Sequence, residues 1–309
     1  MKILHVSKAG SVHSIRELEV VTLLTLDNTK DYETGDNEDI VATDSQKNTV
    51  YVLAKKFGIT NPEEFGLVLV THFISKYPWV TAAKAQITAH PWERITDRAG
   101  QQHSHAFISS PSMTRVAEVV MTRGSRPSIT AGIRNLRVLK TTQSAFVKFV
   151  DDEFRTLPDM DDRVFSTIVT ADWTYSTIRQ LDFDAAFATA RDIVLDVFAG
   201  PAGKGVFSPS VQNSQHLTQR QILGAIPQVT TPPPTPSPAT FSNIIVMTYQ
   251  VESVTIAMPN VHYFGYDFSK FKKLPELTGE CSGEVYNPVD KPSGLITSTL
   301  ARENIQSKL

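Results

Sequence analysis

The chain has 309 residues, and its content of 41% hydrophobic and 20% charged residues is typical of a soluble globular protein with one large or two smaller domains. Its formal net charge of −2 gives no reason to expect a nucleic acid or an anionic membrane as partner. No apolar run is long enough to span a bilayer, and the single cysteine, Cys281, excludes an internal disulfide framework and a multi-cysteine zinc cluster, so we expect a reducing compartment.

The first half of the chain predicts strands at its ends and helices between them. Residues 17–26 are rich in Val, Leu and Thr and predict a strand. Thr43, Asp44 and Ser45 are favourable N-cap residues ahead of apolar residues at helical spacing, and Gly58 marks the end of that helix.

A second helix is predicted to begin at Asn61, with Pro62 at its first position. Three further strands follow at residues 81–89, 106–108 and 115–121. The predicted order in this half is therefore hairpin, two helices, hairpin.

The same order returns in the second half. A helix opens at Ser208, Pro209 and Ser210. The other elements are a helix at residues 184–198 and strands at residues 133–139, 165–173, 251–258, 263–268 and 294–300.

Two tandem ββααββ units predict an α+β fold in which helices cover one face of antiparallel sheets. The breaker residues around Gly124 predict a boundary between units 1–124 and 125–309. Oligomerisation is one way to cover the open edges of such sheets. Residues 229–250 do not fit this order: they hold five of the 18 prolines and predict an exposed extended loop rather than a partner-docking motif.

Several polar residues are candidates for a ligand site, although each also has a plain structural explanation. The helix start at Thr43 and Asp44 directs N–H groups and short side chains to one spot, which suits an anion or a polarised carbonyl, but these residues could simply cap the helix. Arg163 could clamp a planar anion or form a surface salt bridge. Phe146 could stack on a ligand or pack in the core.

Two further pairs carry the same ambiguity. Val211 and Gln212 lie in the first turn of a helix, where an N–H and an amide could face a ligand or be ordinary helix-start polarity. Asn260 and His262 face the same side of an extended segment and could hold a small polar molecule or a water, or form a structural pair.

His103 and His105 would also share one side of a strand, but no carboxylate or thiolate cluster accompanies them, so a surface pair is favoured over a metal site. The chain ends in Ser307-Lys308-Leu309, the tripeptide read by the peroxisomal import receptor, which predicts a peroxisomal protein.

Together these motifs closely resemble the urate oxidase (uricase) family, in the family's order and over nearly the whole chain apart from residues 229–250. The longest segment that carries this resemblance is IVATDSQKNTV at residues 40–50. The other segments that carry the resemblance are residues 140–146, 155–158, 162–163, 198–201, 208–212, 259–260, 262–264 and 307–309.

The resemblance implies two tandem T-fold units per chain, and four chains that form a barrel around a central tunnel, with active sites at subunit interfaces. It implies that Phe146 stacks on the purine, that Arg163 clamps it and that Leu157 lines the pocket. The Val211 N–H and the Gln212 side chain would bind the polar edge of the purine.

By the same resemblance, Thr43 and Asp44 come from the neighbouring subunit. Asn260, His262 and Thr43 would hold water or dioxygen above the ring, with Thr43 and His262 as the catalytic residues. The implied reaction oxidises urate with O2 and water to 5-hydroxyisourate and hydrogen peroxide, without a metal or another cofactor. Release of hydrogen peroxide agrees with the peroxisomal address.

Two features depart from the family's pattern. The family begins with Tyr-Gly-Lys ahead of its first strand, and that lysine partners the threonine in proton transfer. Here Met1 opens a segment that resembles the first strand itself, so we expect greatly reduced turnover for the polypeptide as written. The second departure is residues 229–250. They begin with Val, whose codons start with GT, and end with Gln, one of whose codons ends with AG, which are the bases at the two ends of an intron. We therefore hypothesise that the segment is a retained in-frame intron, and transcripts that keep it would contradict this.

Two other functions stay open from the sequence. A T-fold enzyme that acts on pterins, such as a zinc cyclohydrolase, is disfavoured because the chain has one cysteine and no ligand cluster. A catalytically crippled protein of the peroxisome that binds urate or serves a structural role is favoured only by the missing lysine.

Overall fold

A computed structural model describes residues 1–8, 10–175, 181–226, 251–274, 276, 284–289, 292 and 294–302. The elements of the first half are β1 (Lys2–Ser7), β2 (Ser14–Leu26), α1 (Lys30–Glu33), α2 (Thr43–Phe57), α3 (Pro62–Lys76), β3 (Val80–His90), β4 (Trp92–Thr96), β5 (Gln102–Ser109) and β6 (Thr114–Thr122). Those of the second half are β7 (Ser128–Lys140), β8 (Phe165–Tyr175), α4 (Phe183–Ala199), α5 (Val211–Ala225), β9 (Val251–Ala257), β10 (Asn260–Val261), β11 (Tyr263–Gly265), β12 (Tyr286–Pro288) and β13 (Thr297–Ala301).

One antiparallel sheet runs through both halves of the chain. Its strand order is β1-β2-β3-β6-β7-β8-β9-β13, with β10 also paired to β8. The predicted α+β architecture of two tandem ββααββ units is confirmed. The predicted boundary near Gly124 lies in the turn between β6 and β7, but these two strands pair along their length. The division into two domains therefore stays a prediction.

The long helices α2 to α5 cover one face of this sheet. Helix α3 packs on β3 and β6, α4 packs against β7, and α5 packs on β9 and β13. Ile87, Val119 and Trp173 point into the core between the two layers and are at most 1% exposed. Helix α3 approaches β6 so closely that a Cβ atom at Gly66 would lie 2.5 Å from a methyl carbon of Val119, so only glycine fits there.

The opposite face of the sheet is concave and polar. Lys84 and Glu118 form an ion pair of 3.2 Å there, and Arg134 and Asp172 form another of 2.7 Å. These side chains alternate along the strands with the buried apolar ones, as expected for a sheet with one covered face. The depression above them has a volume of about 560 Å³.

A buried ionic network joins the two halves. Glu63 in α3 has no exposed side-chain surface, and its Oε2 atom accepts a hydrogen bond of 2.8 Å from Nη2 of Arg115 on β6. The same guanidinium donates to the Phe183 carbonyl and to the Asp184 carboxylate at the start of α4. Burial raises the pKa of Glu63, and the neighbouring charge of Arg115 opposes that rise.

Local sequence signals predicted some element boundaries correctly and others wrongly. The Asn61 side chain caps α3 as predicted, since it accepts the Glu64 N–H at 2.8 Å. The strand predicted at residues 263–268 is too long, because the Asp267 side chain accepts the Ser269 N–H and opens a 3-10 turn. The hairpin of β4 and β5 was predicted only in part, and β12 and α1 were not predicted.

Replacing Arg115 with Met should lower the free energy of unfolding by about 3–5 kcal/mol, because the fully buried Glu63 then loses its counter-charge. Urea denaturation at a fixed protein concentration measures this. Arg191→Met is the matched control: within the described residues Arg191 pairs with its exposed neighbour Asp192 alone, so the substitution should cost no more than about 1 kcal/mol. Equal losses in the two variants would contradict the proposed role of the network.

Candidate active site

Thr43 and Asp44 are the first two residues of α2, and the N-cap position is Ala42. The helix start has no side-chain cap, so the expectation that Thr43, Asp44 or Ser45 caps the helix is wrong. Both Thr43 and Asp44 are exposed, and the Asp44 carboxylate accepts a hydrogen bond of 3.0 Å from Asn48 one turn later. The two side chains are therefore presented to solvent rather than used to close the helix.

The Gln46 side chain holds the start of α2 in place. Its Nε2 donates to the Val41 carbonyl at 2.9 Å, and its Oε1 accepts from the Thr22 hydroxyl of β2 at 2.7 Å. These bonds fix the first turn of α2 to the sheet. A small cavity of about 200 Å³, lined in part by Met1 and Thr43, lies at this junction.

A second group of predicted residues gathers near the ends of β7, β8 and α5. The Arg163 N–H donates to the Ser144 carbonyl at 2.8 Å, and the Ala145 N–H donates to the Ser208 carbonyl at 3.0 Å. Phe146 exchanges two backbone hydrogen bonds with Met160. Three segments distant in sequence, at residues 143–146, 160–163 and 208–211, are thereby joined.

Arg163 is the central charge of this group. Its Cζ atom lies 5.5 Å from the centroid of the Phe146 ring, and burial lowers the pKa of its guanidinium. The expected surface salt bridge is not found: no carboxylate of the described part of the chain lies within 4.0 Å of it. The adjacent Asp162 instead accepts a hydrogen bond of 2.6 Å from the Thr142 hydroxyl. A half-buried cation without an acidic partner favours an anionic ligand.

The start of α5 forms the neighbouring wall. Ser210 is its N-cap and accepts the Asn213 N–H at 3.1 Å, while Val211 is buried and Gln212 is exposed. The positive end of the helix and its first N–H groups are suited to a polar or anionic edge of a ligand. The Lys140 ammonium supports this segment, since it donates to the Val206 carbonyl at 2.8 Å and to the Ser208 hydroxyl at 2.7 Å.

Asn260 and His262 approach the site along β10. Asn260 pairs with Thr167 of β8, and continuing this antiparallel register brings His262 beside Phe165 and close to Arg163. Burial first, and the charge of Arg163 second, lower the pKa of His262. The imidazole is therefore neutral at neutral pH and can accept a proton or a hydrogen bond.

Leu157 belongs to the loop between Phe146 and Met160 and is half-buried there. Arg155 in the same loop holds the Leu157 carbonyl through a hydrogen bond of 3.1 Å. Of the predicted residues, Phe146, Leu157 and Arg163 thus share one loop region, which the α5 start and β10 adjoin. Thr43 and Asp44 lie elsewhere, above β1 and β2.

The structure adds residues that the sequence did not single out. Five buried side-chain polar atoms of the described residues lack a hydrogen-bond partner. Three of them belong to this region, namely the Ser144 hydroxyl, the Thr167 hydroxyl and Nε of Arg163. Unsatisfied buried polar atoms are uncommon, and their grouping here indicates a site that a ligand or ordered water completes.

The other sequence candidates have plainer outcomes. His103 and His105 lie on β5 with nearly perpendicular rings whose centroids are 4.5 Å apart. Among the described residues no three His, Cys, Asp or Glu side chains are placed to hold a metal ion. No helix within the described ranges is both long and apolar enough to cross a membrane. Cys281, the proline-rich segment 229–250 and the tripeptide 307–309 are outside the described residues.

The fold defines a protein of the tandem T-fold class. A family model described as Uricase matches residues 1–120 and 129–297. The uricase of Drosophila melanogaster is 45% identical over 334 residues, spanning 100% of this chain and 88% of that protein. The uricase of Oryctolagus cuniculus is 39% identical, spanning 98% of this chain and 91% of its own length.

A solved structure agrees with these relatives. The crystal structure of uricase from Arthrobacter globiformis superimposes with a TM-score of 0.81 at 32% identity, covering 98% of this chain and 91% of that chain. The chain belongs to the uricase family, and it is an oxidoreductase.

Replacing Arg163 with Met should raise the pKa of His262, because the positive charge of Arg163 disfavours the protonated imidazole. The return toward the ordinary histidine pKa should be partial, since burial is the larger cause. NMR titration of labelled histidine, assigned with His262→Gln, measures the change. Arg191→Met on the α4 surface should leave this pKa unchanged, and a fall of the pKa in Arg163→Met would contradict the assignment.

Proposed function

We propose that this protein oxidises urate with dioxygen and water. The observation that carries the proposal is the half-buried guanidinium of Arg163, which lies beside the Phe146 ring without an acidic partner among the described residues. An arginine fork next to an aromatic ring suits a planar anion with oxygen atoms at its edge. Urate is such an anion, and the relatives are named for it.

In this proposal the purine stacks on Phe146 while Arg163 pairs with one edge. The N–H of Val211 and the amide of Gln212, at the positive end of α5, bind another polar edge. Leu157 closes the side of the pocket. These contacts fix the ring against movement, which is the protein's largest task when the substrate itself is reactive.

The reaction balances without a metal or another cofactor. Urate, O2 and H2O give 5-hydroxyisourate and H2O2: two electrons leave the purine ring and reduce dioxygen to the peroxide level. A hydroperoxide forms at a ring carbon, peroxide leaves, and the oxygen of a water molecule takes its place. Thr43, Asn260 and His262 hold dioxygen and then water above the ring, and the neutral imidazole of His262 accepts the proton of that water.

We further propose that the site is completed by a second copy of the chain. Within one chain, α2 lies above β1 and β2, and β2 is four strand spacings from β8, roughly 20 Å. Thr43 and Asp44 therefore reach Phe146 and Arg163 only from another subunit. A homotetramer closed into a barrel would also enclose the polar face that bears the Arg134–Asp172 pair.

We propose that the protein is localised to the peroxisome, because the import receptor would bind Ser307-Lys308-Leu309. Confinement there would bring the hydrogen peroxide to a compartment that handles it. A fluorescent fusion ending in these three residues should enter peroxisomes, and a diffuse signal would contradict the proposal.

The function is tested by following urate absorbance, oxygen uptake and hydrogen peroxide together, with one peroxide formed per urate consumed. Arg163→Met should raise KM by roughly 30-fold or more, the equivalent of about 2 kcal/mol lost with a buried charge contact. Arg191→Met is the control and should behave as the wild type. Urate consumption without peroxide would contradict the reaction.

Mixing two inactive variants tests the shared site. At urate concentrations well below the raised KM of Arg163→Met, Thr43→Ala chains and Arg163→Met chains should each be nearly inactive. Tetramers that contain both should recover about one quarter of the sites, where the two intact halves meet. Co-expression followed by purification through two different tags measures this. No recovery in verified mixed tetramers would place both residues in the same subunit's site.

A further inference from the structure

The loop from Phe146 to Met160 is closed at its base by two backbone hydrogen bonds between these residues, of 2.8 and 3.0 Å. It begins with the aromatic ring proposed as the substrate platform and contains Leu157. Most residues between these two are exposed, whereas Phe149, Arg155 and Leu157 are among those that are half-buried.

Phe149 lies flat against one face of the Phe146 ring. The two ring centroids are 4.6 Å apart, and the planes differ by 15°. The guanidinium carbon of Arg155 lies 4.1 Å from the Phe149 centroid. Because Phe146 occupies one face of Phe149, a guanidinium at this distance lies on the other face. Arg155, Phe149 and Phe146 thus form a three-layer stack, so a planar ligand could contact Phe146 only on its outer face, near the Arg163 guanidinium carbon 5.5 Å from the ring centroid.

Arg155 cannot easily move in this stack. Its Nη2 donates to the Asp159 carboxylate at 2.8 Å, its Nε donates to the Leu157 carbonyl at 3.1 Å, and only 18% of its side chain is exposed. The Asp159 carboxylate also accepts the N–H of Lys148, whose φ of 58° is unusual for a side-chain-bearing residue. This left-handed residue turns the chain so that Phe149 folds back onto Phe146.

We propose that Phe149 and Arg155 are positioning residues for the substrate. Phe149 supports the rear face of Phe146 and sets the height and tilt of its ring. The Arg155 guanidinium packs on the face of Phe149 that points away from Phe146, and it also donates a hydrogen bond to the Leu157 carbonyl. This inference rests on the proposed function, because that function supplies the planar substrate on the outer face.

The test uses the full chain as an assembled oligomer. Phe149→Leu should raise both the KM for urate and the Kd for xanthine, a purine with the same fused ring and one oxygen fewer, by roughly 2- to 10-fold. Phe149→Tyr keeps the flat ring, so its KM for urate and its Kd for xanthine should equal those of the wild type. Arg155→Lys keeps the charge but loses the planar fork, and should raise both values as Phe149→Leu does.

Phe154→Leu is the matched control, since Phe154 belongs to the same loop but is 82% exposed. A merely structural role for Phe149 would reduce the active fraction, and so kcat, with KM and the xanthine Kd unchanged. If the wild type binds xanthine and Phe149→Leu binds it as tightly as Phe154→Leu does, the positioning role is overturned. If the wild type neither binds xanthine nor consumes urate, the proposed function fails, and the inference fails with it.

Discussion

The continuous antiparallel sheet is the constraint on which the rest of the molecule depends. Because β6 pairs with β7, the two ββααββ halves cannot fold toward each other, and the helix start at Thr43 stays far from the loop around Arg163. The Glu63–Arg115–Asp184 network reinforces this arrangement, since it ties α3, β6 and α4 together at the join. This separation within one chain is the reason for our proposal that the complete site lies between subunits.

The charge of Arg163 shapes the electrostatics of the site around Phe146. Arg163 is desolvated without a carboxylate to balance it among the described residues, and its charge also acts on His262. An anionic substrate would relieve the cost of burying that charge. The proposed substrate would also partly offset the charge of Arg163, which adds to burial in lowering the pKa of His262, and so would raise that pKa.

The sequence predicted the architecture better than the details of the site. Most strands and the four long helices follow from periodicity, caps and breakers, because these signals are local. The prediction that Thr43 caps its helix was wrong. The bond that holds this helix start, between Gln46 and Thr22, joins residues far apart in the chain and cannot be read from local sequence. The sequence places acidic residues next to Arg163, so it could not show that no described carboxylate pairs with this side chain. Only the fold shows that the Asp162 carboxylate accepts a hydrogen bond from Thr142 instead. The resemblance supplied the identity of the site residues, whereas Phe149 and Arg155 emerged only from the structure.

The loop that carries Phe146 differs from the sheet in how its contacts are spaced along the chain. Its closing pair, its stack and the bonds of Arg155 all join residues within this short loop, while Arg115 reaches a residue 69 positions away. A segment held by local contacts closes with a small loss of chain entropy and can open on its own while the sheet stays intact. The amide hydrogens of Phe146 and Met160 should therefore exchange with solvent through local opening, faster than those of the central strands. A bound ligand would slow this exchange, so the exchange rates of these two amides would report binding.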